Sequence, residues 1–177
     1  MVGTRLALGL ALFFSASAPQ AGGATGTVTV KTTISANCQL VAVPTISFGS
    51  YDPVGTQKTT DLDNTSGQIE VSCVGNSAIT VALDLGTNAT GSTRRLKNAS
   101  SADYLNYELY KPDSTNTCVF TGTPVVWGNS STALFTPPAA PPNLATHQFY
   151  RICARVFKNQ DPTVGTYSDR VNATVNF

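Results

Sequence analysis

The sequence predicts an all-β protein built as an antiparallel sandwich, on three observations. Apolar and polar residues alternate through most of the runs that turn residues separate. Gly, Pro, Asn and Asp interrupt those runs at fairly even intervals. No helical period persists over three turns, so the runs read as short strands of a sandwich.

Taken in order, residues 25–34 form the first alternating run, with Val28, Val30 and Ile34 on one face. Residues 41–48 are a short apolar stretch, broken at Pro44 and ended at Gly49. Residues 68–74 and 78–85 both alternate, with turn residues Gly75 and Asn76 between them, and together read as a β-hairpin. Residues 104–110 carry Tyr104, Tyr107 and Tyr110 and stop at Lys111-Pro112-Asp113. Residues 123–127 and 132–135 are shorter candidates. Residues 149–157 alternate around Tyr150, Ile152, Ala154 and Val156. The last run, 167–177, places Val171, Ala173, Val175 and Phe177 on one face and Asn172, Thr174 and Asn176 on the other. The Pro-rich stretch 136–143 reads as a stiff surface loop, because too little chain follows it for a second core.

The 177 residues suffice for one domain with a real core. Net charge is +1 and only 12% of residues are charged, about half the usual ~25%. No basic footprint for nucleic acid is present. Arg5, the apolar residues 6–14 and the small residues Ala21-Gly22-Gly23-Ala24 read as an export leader cut near Gly23 or Ala24. The apolar run is too short to span a bilayer. Export makes Cys38, Cys73, Cys118 and Cys153 candidates for disulfides, and no C-x-x-C pair suggests zinc or redox chemistry. Of the three possible pairings, the spacings favour Cys38 with Cys73 and Cys118 with Cys153, each pair joining neighbouring segments.

The final run is not followed by a further strand, while 25–34 precedes the first cysteine as a spare one. A β-domain with an open edge and a spare strand can polymerise by lending that strand to a neighbour. Catalytic chemistry finds little support. His147 is the single histidine, reads as exposed, and has no nucleophile elbow to serve. Residues 61–64 resemble the start of a calcium loop but lack its glycine and final glutamate, so no metal is expected. Glu70 and Glu108 fall in strands with no cleft signal. Arg94, Arg95 and Lys97 read as a solvated basic loop. Trp127 and the tyrosines read as core and cross-strand packing. No enzyme activity and no cofactor are expected.

The segment 93–110, with Leu96-Lys97-Asn98-Ala99, followed by Gly165-Thr166-Tyr167-Ser168-Asp169 and a terminal Val175-Asn176-Phe177, resembles the spore coat protein U domain of archaic chaperone–usher pilus subunits. The early residues 34–38, Phe48-Gly49 and Cys73 fit as well. The resemblance implies an incomplete immunoglobulin-like β-sandwich completed by a donor strand. It implies a leader over 1–24, a donor extension over 25–36 and a pilin domain over 37–177. Val28, Val30 and Ile34 would enter a neighbour's groove, with Thr32 at the fourth inward position. Val171, Ala173, Val175 and Phe177 would line the acceptor groove. The implied partners are a periplasmic chaperone, an outer-membrane usher and other pilus subunits. The implied role is a cell-surface fibre for adhesion and biofilm formation. The alternative is a self-contained secreted coat or adhesive surface-binding protein of the same domain family.

Overall fold

Two sheets of unequal size enclose one core. The computed structural model describes residues 27–74, 78–138 and 146–177. The expected leader over 1–24, the turn residues Gly75 and Asn76, and 139–143 of the Pro-rich stretch lie outside the described residues. The chain divides into two units, Met1–Thr33 and Ile34–Phe177. In the first, residues 27–33 form no strand, and Val28 and Val30 are exposed.

The second unit holds strands β1 (Cys38–Ala42), β2 (Leu62–Cys73), β3 (Thr80–Leu83), β4 (Arg94–Asn98), β5 (Tyr104–Tyr110), β6 (Gln148–Val156), β7 (Tyr167–Ser168) and β8 (Ala173–Asn176). Six of them form a sheet in the order β1-β2-β6-β5-β4-β7, and β3 pairs with β8 in a second sheet. Every ladder is antiparallel. The period-2 pattern sets the inward faces. Ile69 and Val71 of β2, Leu105, Tyr107 and Leu109 of β5, and Tyr150, Ile152, Ala154 and Val156 of β6 meet Val81 and Leu83 of β3 in one buried cluster. Trp127 and Phe135, from the loops between β5 and β6, complete it.

The structure departs from the sequence pattern in several places. β2 and the run that follows it are not a hairpin, because β3 leaves the first sheet and pairs with β8. Turn residues between two alternating runs serve an inter-sheet crossover as well as a hairpin, and nothing local separates them. The stretch 41–48 is strand only at its start; residues 43–50 carry no strand. The candidates at 123–127 and 132–135 reduce to single bridges, Val126 with Tyr110 and Phe135 with Val81. The last run is split, with β7 on the larger sheet and β8 on the smaller. β2 is longer than its alternation, since it bulges between Asn64 and Gly67. At Gly67 a Cβ would lie 2.8 Å from Ile46 Cγ1, so glycine lets the 43–50 segment pack down on the sheet.

Arg94 is the clearest departure. It was read as part of a solvated loop, yet it lies in β4 and is fully buried. Its guanidinium ion-pairs with Glu108. It also donates to the carbonyls of Leu83 (3.1 Å), Asp84 (2.6 Å) and Trp127 (2.8 Å). One side chain thus ties β4 to the end of β3 and to the Trp127 loop. The planar five-donor fork of arginine suits this, since a buried charge needs every donor satisfied. Arg95 stacks 4.0 Å over the Tyr104 ring, and Lys97 is exposed.

Two disulfides join Cys38 to Cys73 and Cys118 to Cys153. The first links facing residues of β1 and β2. The second fastens the loop after β5 to β6.

Candidate functional site: an open apolar groove

The core is not closed on every side. A groove of about 880 Å³ opens into it within the second unit. Its floor is made of core side chains: Leu62 and Ile69 from β2, Leu105, Tyr107 and Leu109 from β5, and Ile152 and Val156 from β6. Residues 43–51 form one rim and 162–171 the other. Apart from the two-residue β7 the rims are not regular strands, yet Ile46, Phe48, Tyr51, Tyr167 and Val171 are half-buried against the core. The volume matches that of ligand pockets, roughly 300–1,000 Å³. The lining differs from theirs, since it is a sandwich interior seen from the edge.

The rims are held by defined contacts. Tyr51 donates through its hydroxyl to the Phe157 carbonyl at 3.0 Å and accepts from the Gln160 N–H at 3.1 Å. On the far rim, Asp169 accepts from the Tyr107 hydroxyl at 2.8 Å and from both the backbone and side-chain nitrogens of Asn88. Burial, reinforced by the hydrogen bond to Asp169, pushes the Tyr107 phenol well above its ordinary range. Asp84 accepts from Gly86 N–H and from the backbone and side chain of Asn172. Burial opposes ionisation of Asp84, but these donors together with Arg94 outweigh it and hold the carboxyl below its ordinary value. The two aspartates pin residues 168–172, the link between the sheets, to the loop after β3.

The residues expected to line an acceptor groove divide. Val171 and Ala173 are in the lining. Val175 packs on the core from β8, and Phe177 lies beyond β8 and is exposed. Among the described residues β8 is hydrogen-bonded to β3 alone, and no strand pairs with its other edge. Val28, Val30, Thr32 and Ile34 are exposed and outside any strand. The floor residues of β5 and β6 were not singled out from sequence. Their alternation shows them facing inward, but not that the layer above them is missing a strand.

The polar residues weighed for chemistry are spread apart. Glu108 serves Arg94, and Glu70 ion-pairs with the half-exposed His147. Asp63 holds Arg155 at 2.6 Å and Asp61 lies 3.4 Å from it. Among the described residues no three His, Cys, Asp or Glu side chains could hold a metal ion.

The family model of the Spore Coat Protein U domain matches residues 24–174. The chain belongs to the spore coat protein U domain family. Protein U of Myxococcus xanthus is 34% identical over 142 residues, which are 75% of this chain and 72% of that protein. A chain of the chaperone–tip adhesion subunit pre-assembly complex from the archaic chaperone-usher Csu pili of Acinetobacter baumannii has the same fold. It gives a TM-score of 0.52 at 21% identity, covering 82% of this chain and 41% of that one. The spore coat U domain is therefore an all-β, immunoglobulin-like sandwich, and here its core stands open along one side.

Proposed function

We propose that this chain is a structural subunit of a chaperone–usher pilus and polymerises by donor-strand complementation. The observation that carries the reading is the groove lined by core side chains, in a chain that also has an exposed alternating segment at 28–34. An open sandwich exposes apolar core and unpaired backbone, and one added strand satisfies both needs together. Burying Val28, Val30 and Ile34 at roughly 1.5–3 kcal/mol each would contribute about 5–9 kcal/mol before entropy costs. Because groove and donor are different surfaces, the joint is head-to-tail and yields an open fibre.

In this reading residues 1–24 are removed on export, 25–36 are the donor extension and 37–177 the acceptor domain. A periplasmic chaperone fills the groove first, and the next subunit's extension replaces it at an outer-membrane usher. The fibre then serves surface adhesion and biofilm formation. The description of the Acinetobacter complex, a subunit with its chaperone before assembly, supports this order.

The test is gel electrophoresis without boiling of periplasmic protein co-expressed with its chaperone. Intact mature chain should give heat-labile ladders, and a chain lacking residues 25–34 should stay in a one-to-one chaperone complex. A heat-stable monomer that needs no chaperone would instead make the chain a self-contained coat protein.

A further inference from the structure

The groove floor has a pattern that matches the donor segment residue for residue. Paired positions on the larger sheet form successive rungs. The first, nearest β7, is Leu105 opposite Leu96. The second is Tyr107 opposite Val156, which in turn faces Leu62. The third carries Leu109, and the fourth Ile152 above Gly67. All these rungs contribute to the groove lining. Rungs two residues apart lie about 7 Å from one another, the repeat of inward side chains on any added strand.

Among the floor-strand residues that line the groove, the second rung alone presents a polar group. It is the Tyr107 hydroxyl, which donates to Asp169 at 2.8 Å and keeps a lone pair free to accept. From the β7 end the floor therefore reads apolar, polar, apolar, apolar. The donor, read backwards, is Ile34, Thr32, Val30, Val28, which has the same order. One register and one direction bring the two patterns together. With Ile34 at the Leu105 rung, the strand rises toward β7. The chain leaves β7 beside the first rung, meets the second at Asp169 and enters β8 through Val171 and Ala173 of the lining, so an added strand that rises toward β7 is antiparallel to it. That is the sense of every ladder in the domain and the more stable one.

We propose that Thr32 of one copy hydrogen-bonds the Tyr107–Asp169 pair of the next, and that this contact fixes the register and direction of the joint. The inference rests on the donor-strand reading above. A slip of two residues places Val30 or Ile34 over the polar pair. It also leaves the Thr32 hydroxyl buried against leucine without a partner, which is costly. Thr32 thus acts as a specificity residue in an otherwise apolar donor.

The experiment is a double-mutant cycle on the intact mature chain, read as the temperature at which ladders dissociate. Thr32→Val should lower that temperature although valine is the more apolar residue, and Thr32→Ser should retain it. In a Tyr107→Phe background Thr32→Val should raise it. Exchanging the two positions, Val30→Thr with Thr32→Val, should abolish ladders. These donor substitutions fall on exposed residues, so they leave folding of the acceptor domain intact. If Thr32→Val raises the temperature in both backgrounds, or the exchanged strand assembles as well as the native one, the pairing is overturned while the polymer stands. If the unsubstituted chain forms no heat-labile ladders, polymer and pairing fall together.

Discussion

One side of the core is sealed by its own chain and the other is left open. On the sealed side Trp127, Phe135 and Tyr150 pack with ring centroids 4.9 and 5.4 Å apart. The Trp127 indole donates to the Val81 carbonyl at 2.8 Å, and Arg94 ties three elements around it. On the open side equally buried leucines and isoleucines end in a groove between two rims whose only strand is the two-residue β7. Sequence hydrophobicity is similar on both sides. What differs is the density of directional bonds, so the sealed side can hold the domain together while the open side leaves core side chains facing a groove.

The largest effect expected within the domain comes from breaking the sealed side. Arg94→Met leaves the partly buried Glu108 without its ion-pair partner and strips hydrogen bonds from three carbonyls. Removing one member of a buried pair costs about 3–5 kcal/mol. The urea midpoint, followed by fluorescence of Trp127, should fall accordingly, and the yield of chaperone-bound subunit with it. A loss under ~1 kcal/mol would show that Arg94 does not organise this side. The disulfides divide the two sides more finely. Each spans 35 residues, worth roughly 3–4 kcal/mol by chain entropy. Replacing Cys118 and Cys153 by serine should lower subunit stability but leave ladder dissociation unchanged in surviving polymers. Replacing Cys38 and Cys73 frees edge strand β1 and should lower both.

The sandwich was legible because alternation is a local property. β5 and β6 were found almost to the residue, and the cysteine spacings pointed to the observed bonds. What was not legible is non-local. No pattern within 78–85 says that its partner is β8 and not β2. Arg94 looked like a surface residue because its acceptors, the carbonyls of Leu83, Asp84 and Trp127, are 10 to 33 residues away. The alternation of residues 28–34 showed in the sequence, while the groove floor did not, since a floor is defined by what fails to cover it.

Acid should loosen the link between the sheets through Asp84. The folded value of Asp84 is depressed, so its contribution is full above the ordinary carboxylate pKa of about 3.9 and is lost as pH falls through the lower folded value. The stability of the native domain should decline below about pH 4 with a slope that Asp84→Asn removes in part. Urea midpoints measured between pH 2 and 6 would show it. An unchanged slope in Asp84→Asn would assign the acid sensitivity elsewhere.

The smallest effect sets two tyrosines against each other. Tyr107, on the open side, donates to Asp169, whereas the buried Tyr150 hydroxyl, on the sealed side, has no hydrogen-bond partner among the described residues. Tyr150→Phe removes an unsatisfied group and keeps the ring against Phe135, so it should be neutral or stabilising by about 1 kcal/mol. Tyr107→Phe deletes a made bond to a charged acceptor and should cost about 1.5–3 kcal/mol. The same atom is removed in both, so packing is nearly constant and the contrast isolates the hydrogen bond. Opposite signs in the two urea midpoints would show that polar satisfaction on the open side is specific. Equal losses would mean that Tyr150 has found a partner, and the sealed side would then be the more polar of the two.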